Sequence, residues 1–145
     1  MLVYTYSDLL ENVRDCIKRY FYKTTKIVIN GKPLYNISAI IDGKDTSFYI
    51  KNQSMVELSG VVDIDDDYYG VGYKSVLKKD NVDYWVYVIR DEFYIISTNE
   101  LRKKVLEKEY DYRGCESSKA GADKEFFLVK EEKFKSWCAK MCYRD

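Results

Sequence analysis

The sequence predicts a single mixed α/β (α+β) domain spanning residues 1–145, with a central mixed sheet of five or six strands flanked by helices. Three observations support this prediction. Apolar residues recur at helical spacing near both ends of the chain. Between them, short apolar runs of strand character are separated by Asn-Gly and Asp-Gly pairs. One run, "VDYWVYVI" at 82–89, is almost wholly apolar, which is typical of a central strand covered on both faces.

The first half of the chain is predicted to form a helix followed by a meander of three strands. "SDLLENVRDCIKRYFY" at 7–22 places Leu9, Val13 and Ile17 on one helical face. The predicted strands cover 26–30, 35–41 and 46–52, with turns at Asn30-Gly31 and Asp42-Gly43.

The second half is predicted from the same kinds of signal. Ser97 and Glu100 have the spacing of a capping box, so a helix is expected from there to about Tyr110. The tail at 130–142 spaces its apolar residues as an amphipathic helix does. The other predicted elements are a strand within 55–62, an acidic loop at 63–72, a short helix at 73–80, strands at 82–89, 93–97 and 125–129, and a flexible connection at 111–123.

Composition excludes several kinds of catalysis. The chain has no histidine, which removes the commonest general base and histidine-ligated metals. Any catalysis would have to use carboxylates, Lys or Tyr, with a hard cation such as Mg²⁺. The formal net charge is zero, with 24 basic and 24 acidic residues, so a dedicated DNA binder is not indicated by charge alone. The 15 tyrosines suit stacking on bases, a protein interface, or the edges of a strand-rich core.

The cysteines and the termini bear on location. Four cysteines occur without a CxxC pair and without histidine, so they are predicted to be reduced, structural thiols. No apolar run approaches the roughly 20 residues of a membrane helix, and the N-terminus lacks the pattern of a signal peptide. We therefore expect a cytoplasmic protein with no membrane partner.

Two stretches resemble a known family. "VDYWVYVIRDEFYIISTNEL" is similar to two late strands and the following Ser-capped helix of the PD-(D/E)XK, or restriction-endonuclease-like, superfamily. "SFYIKNQS" at 47–54 resembles its catalytic strand, in which an acidic or amide residue precedes a lysine by two positions. The resemblance implies a restriction-endonuclease-like fold that binds Mg²⁺ and activates a water for phosphodiester hydrolysis.

This sequence matches only part of the catalytic site of that superfamily. Lys51 matches the catalytic lysine, but Tyr49 stands where the acid is expected, and Asn36 stands near the position of the upstream carboxylate. Asp42 and Glu11 are the remaining candidate catalytic acids and Mg²⁺ ligands. Each candidate has a structural alternative: Lys51 as an edge-strand lysine, Asp42 as a turn residue, Glu11 as a solvated helix acid. If the site binds without cutting, Asn36, Tyr49 and Gln53 are the expected contact residues and no cofactor is needed.

The acidic stretch "DIDDDYYG" is a second candidate. Asp63, Asp65 and Asp67 have the spacing that opens an EF-hand loop, but Tyr68 and Lys74 stand where Gly and Glu are required. A solvated loop is one interpretation. The other is a protein-binding patch, with charges that steer a basic partner and tyrosines that anchor it, formed by Asp65, Asp66, Asp67, Tyr68 and Tyr69.

Three functions remain open from the sequence. The first is a non-catalytic nuclease-fold protein that binds nucleic acid or a protein partner, as a restriction accessory or a phage or mobile-element counter-defence factor. The second is an active Mg²⁺-dependent endonuclease whose migrated acid is among Glu11, Asp42 and Glu57. The third is an immunity or inhibitor protein unrelated to nucleases. The oligomeric state is not predicted.

Overall fold

Helices and strands alternate along the chain in a computed structural model, which describes residues 6–30, 37–53, 56–67, 82–117 and 123–143. The described elements are α1 (Tyr6–Tyr20), β1 (Thr24–Ile29), β2 (Ile37–Ile41), β3 (Lys44–Asn52), α2 (Val56–Ser59), β4 (Val61–Asp67), β5 (Tyr84–Ile89), β6 (Glu92–Ser97), α3 (Thr98–Leu106), β7 (Tyr112–Ser117), β8 (Asp123–Lys130), α4 (Glu131–Trp137) and β9 (Ala139–Tyr143). The predicted mixed α/β class, in a single domain, is confirmed. None of the described helices combines the length and apolar character needed to cross a membrane.

The larger sheet has six strands in the order β1-β2-β3-β5-β6-β9. Among the described strand pairs of this sheet, only β3–β5 is parallel, so the sheet is mixed, as predicted. All six residues of β5 except Tyr84 are buried, and they alternate between two apolar clusters on opposite faces. The strand predicted at 82–89 is therefore a central strand covered on both faces, although it begins at Tyr84, and its Trp85, Val86 and Val88 are core residues.

The two faces of this sheet are covered differently. Helix α1 packs Leu10, Val13 and Ile17 against one face, which we call the α1 face. A small antiparallel sheet in the order β4-β8-β7 covers part of the other face together with α3 and α4. Residues of β4 and β8, such as Ile64 and Phe127, share one apolar cluster with Trp85 there. We call this second side the β4 face.

Two hairpins have tight turns, one of them at the predicted Asp42-Gly43 pair. Asp42 and Gly43 join β2 to β3 with φ of 51° and 78°, and Arg90 and Asp91 join β5 to β6 with φ of 51° and 63°. Positive φ at both central residues belongs to type I′ turns, whose twist matches that of the flanking strands. Ser97 caps α3 as predicted, since its side chain accepts a hydrogen bond from the Glu100 N–H at 3.1 Å.

Several predicted elements are wrong in type or extent. Residues 56–59 form a helical turn rather than part of a strand. The expected acidic loop forms strand β4 as far as Asp67, and the expected flexible connection contains strand β7. The final helix ends at Trp137, where Cys138 adopts an extended conformation and β9 begins. The helix predicted at 73–80 lies outside the described residues.

Cys16 is buried in α1 and is disulfide-bonded. The expectation that all four cysteines are reduced is therefore wrong for Cys16. Cys138 is a free thiol, and burial raises its pKa to about 12, so it stays protonated at neutral pH. A protonated, half-buried thiol is a poor nucleophile and a poor metal ligand.

Candidate functional site

Lys51 lies between the two sheets rather than at an open site. Strand β3 lies between β2 and β5 in the sheet: it pairs with β2 over Lys44–Phe48 and with β5 over Phe48–Asn52, so Lys51 is paired on its β5 side. Its neighbour Ile50 packs on the α1 face, so alternation directs Lys51 to the β4 face. There the Nζ atom donates a hydrogen bond to the Asp63 carbonyl at 3.2 Å and approaches the Ile64 carbonyl at 3.5 Å.

The same two carbonyls accept further hydrogen bonds from the large sheet. Gln53 Nε2 donates to the Asp63 carbonyl at 2.9 Å, and Gln53 Oε1 accepts from the Asp63 N–H at 3.2 Å. The buried Tyr87 hydroxyl donates to the Ile64 carbonyl at 2.6 Å. Lys51, Gln53 and Tyr87 thus form one group of donors aimed at the β4 backbone, which we call the inter-sheet polar cluster.

A β-bulge in β4 explains why donors are needed there. Asp63 pairs with Leu128 and Asp65 pairs with Phe127, so Ile64 is an extra residue without a partner in the ladder. The bulge interrupts the ladder at Ile64, and β4 is also the edge strand of the small sheet, so backbone groups here lack a partner strand. A carbonyl buried without a donor costs about 1–3 kcal/mol. The cluster supplies those donors, and it joins the two sheets through the bulge.

Two of the candidate acids, Asp42 and Glu11, are not brought to Lys51. Asp42 lies in the β2–β3 turn, where it is exposed and 3.7 Å from the Lys23 ammonium. Lys51 lies seven residue steps along β3 from Lys44, about 23 Å at roughly 3.3 Å per step, and Asp42 lies beyond Lys44. Glu11 is exposed on α1, on the other face of the sheet from Lys51. The Glu57 side chain lies outside the described residues.

These positions do not fit a Mg²⁺ site around Lys51. The ion needs several oxygen ligands at about 2.1 Å in octahedral geometry, and neither Asp42 nor Glu11 reaches the lysine. Among the described residues, no group of three Asp, Glu, Cys or His side chains has the arrangement of a metal site.

The predicted contact residues have mixed outcomes. Tyr49 packs against Trp85 with ring centroids 4.9 Å apart, so it belongs to the core boundary of the β4 face. Gln53 is buried in the inter-sheet polar cluster. Asn36, Tyr68 and Tyr69 lie outside the described residues. Asp65, Asp66 and Asp67 are described only in their backbone, which pairs with β8.

Sequence reasoning missed a charged cluster on α4. Arg90 Nε donates to both carboxylate oxygens of Glu131, at 3.0 and 2.9 Å, and Lys135 Nζ lies 2.7 Å from Glu131 Oε2. The hydrogen bond from Arg90 lowers the pKa of Glu131 and outweighs the opposing effect of burial. This cluster fixes the β5–β6 turn to α4. The i, i+4 spacing of Glu131 and Lys135 signalled one half of it.

A shallow depression of about 260 Å³ lies on the outer strands of the large sheet, which the small sheet does not cover in the described part of the chain. Val28 is exposed there, and Asn30 Nδ2 donates to the Ser38 hydroxyl at 3.0 Å. Lys26 and Asp45 bring opposite charges to its rim. The depression has the mixed polarity of an ordinary protein surface.

Comparison with known proteins found no matching family model, no matching curated protein and no matching solved structure.

Proposed function

We propose that the protein acts by binding a partner and does not hydrolyse phosphodiesters. On this proposal, the resemblance to the PD-(D/E)XK superfamily reflects a related fold with a degenerate site. The observation that carries the proposal is the placement of Lys51, whose ammonium is held on the backbone carbonyls of β4.

The physical argument concerns what a nuclease lysine has to reach. It must contact a metal-bound water or the scissile phosphate, both of which need an open space beside converging carboxylates. Here the space next to Lys51 is filled by β4, and neither Asp42 nor Glu11 lies near it. On this proposal, Lys51 has a structural role and helps to hold the two sheets together.

The class of partner is nucleic acid or protein, and roles as a restriction accessory or counter-defence factor stay predictions. A cytoplasmic location also stays a prediction. The disulfide of Cys16 weighs against it, because structural disulfides persist mainly in oxidising compartments.

The proposal is tested by incubating the protein with plasmid and single-stranded DNA in the presence of Mg²⁺ or Mn²⁺. We expect no cleavage above that of a buffer control. Metal-dependent cleavage that disappears in Lys51→Ala would refute the proposal and establish the active endonuclease instead. A matched variant, Lys103→Ala, changes an exposed lysine of α3 and separates a catalytic effect from a general one.

A further inference from the structure

A second surface lies far from Lys51, at the end of the large sheet where α1 ends and β1 begins. It holds four exposed cations, Lys18, Arg19, Lys23 and Lys44, and two exposed tyrosines, Tyr20 and Tyr22. We call it the basic–aromatic end. We propose that this surface binds single-stranded nucleic acid, a proposal that rests on the function proposed above and names its partner.

The tyrosines are presented by a well-anchored segment. Between them, Phe21 packs into the α1 face, with its ring centroid 5.8 Å from that of Phe48 and 5.3 Å from that of Tyr84. The Phe21 N–H donates to the Ile17 carbonyl at 3.0 Å, which holds the segment to the end of α1. Tyr20 and Tyr22 flank this anchor and are 43% and 84% exposed. Because the backbone that carries these rings is anchored, a base that stacks on them does not have to order the segment as well.

The cations surround these rings. Lys23 Nζ lies 5.8 Å from the centroid of the Tyr22 ring. The Asp42 N–H donates to the Lys23 carbonyl at 3.0 Å, which places the β2–β3 turn, and with it Lys44, beside the α1–β1 turn. Lys18 and Arg19 occupy the last turn of α1, immediately before Tyr20.

The charge balance at this end favours an anionic partner. Asp42 offsets Lys23, which leaves Lys18 and Lys44 as a surplus of two among the lysines of this end, in a chain whose formal net charge is zero. The neighbouring charges cancel: Arg14 pairs with Asp15 at 3.4 Å, and Lys26 faces the same depression as Asp45. Lys18 and Arg19 also offset the dipole of α1, but that role explains neither Lys23 and Lys44 nor the exposed tyrosines.

Cations interleaved with exposed aromatic rings fit a single strand better than a duplex or an acidic protein. A single strand offers unstacked bases to the tyrosines and phosphates to the lysines, whereas a duplex keeps its bases stacked and an acidic peptide offers no base. The chemistry is shared by DNA and RNA, so both are tested.

The experiment measures fluorescence anisotropy of labelled 20-nucleotide single strands of DNA and of RNA, and of a DNA duplex, in buffer containing EDTA. With three to four phosphates neutralised, raising the salt from 50 to 200 mM should weaken binding on the order of 20- to 50-fold. Tyr22→Ala should weaken it on the order of tenfold. The matched controls Tyr112→Ala and Lys103→Ala change an exposed tyrosine and an exposed lysine elsewhere and should leave binding unchanged.

Preferential binding of either single strand that weakens on the order of tenfold in Tyr22→Ala and also weakens in Lys23→Ala supports the proposal. Absence of binding at 50 mM salt overturns it, as does equal binding of the duplex. Binding that survives both variants overturns it too, as does binding of polyglutamate that matches the single strand. Because EDTA removes the metals that cleavage would need, these outcomes are independent of the nuclease assay.

Discussion

Replacing Lys51 by methionine tests whether the ammonium stabilises the fold. The substitution keeps the length and most of the apolar stem of the side chain and removes only its charged donors. A lysine placed for catalysis or for solubility should be replaceable without loss of stability. A lysine that holds the β4 bulge should not.

The magnitude follows from the hydrogen bonds of the inter-sheet polar cluster. The variant loses the 3.2 Å bond to the Asp63 carbonyl, while the 3.5 Å approach to Ile64 is too long to contribute much. Both carbonyls keep a donor, from Gln53 at 2.9 Å and from Tyr87 at 2.6 Å. A hydrogen bond to a charged group contributes about 1.5–3 kcal/mol to stability. The net contribution of Lys51 is smaller, because its half-buried ammonium could hydrogen-bond to water instead of the carbonyl. We expect Lys51→Met to lower the free energy of unfolding by about 1–2 kcal/mol.

The assay is urea denaturation followed by circular dichroism, with Lys44→Met as the control at an exposed position of the same strand. At this chain length the expected loss corresponds to a melting temperature lower by roughly 3–6 °C. Adding Gln53→Leu removes the other donor to the Asp63 carbonyl, so the double variant should lose about 1 kcal/mol more than the sum of the single ones. Equal stability of Lys51→Met and Lys44→Met, with an additive double variant, would refute the structural role.

Three further predictions concern the core, the disulfide and the α4 cluster. Val86→Ala should lower the free energy of unfolding by roughly 1–3 kcal/mol, because Val86 is fully buried in β5, and an unchanged urea midpoint would contradict that position. Reduction of the Cys16 disulfide should lower the free energy of unfolding by about 2–4 kcal/mol. Peptide mapping without reductant should identify the partner cysteine. Alkylation of all four thiols in unreduced, unfolded protein would rule the bond out. Glu131→Gln should be less stable than the wild type at pH 7. Because the folded pKa of Glu131 is lowered, the stability that its carboxylate contributes is complete above the unfolded pKa of 4.5 and is lost as the pH falls through the folded pKa. A stability difference between the variant and the wild type that persists unchanged at pH 2 would therefore be inconsistent with the Arg90 pairing.

The parts of the fold that were predictable are those in which local pattern and tertiary burial agree. The unbroken apolar run of β5 indicated a strand covered on both faces, and Asp42-Gly43 indicated a hairpin turn. Strand β4 was missed because its aspartates dominate the local composition. Val62 and Ile64 are its buried residues. They show the alternation of a strand only if the aspartates are assigned to the opposite face of that strand.

The role of Lys51 was not decidable from local sequence. A lysine between apolar neighbours on a strand has the same pattern whether it serves a nuclease site, a sheet edge or a buried carbonyl. What decides the matter is the bulge of β4, at Asp63 and Ile64, and its position follows from pairing with a strand about 60 residues away. The charged cluster of Arg90 and Glu131 was hidden for the same reason, since its partners lie 41 residues apart.

The pairing of β4 also has a consequence for the order of events during synthesis. Its partner β8 is made roughly 60 residues later, and β8 lies between β4 and β7 in the small sheet. At about 5–20 residues per second, β4 would wait some 3–12 s on the ribosome for a neighbour. A strand left without a partner for that time invites aggregation through its apolar residues, here Val61, Val62 and Ile64, and acidic residues beside them act as gatekeepers against it. The aspartates at 63, 65, 66 and 67 would then protect the nascent chain, whatever they contact once folding is complete.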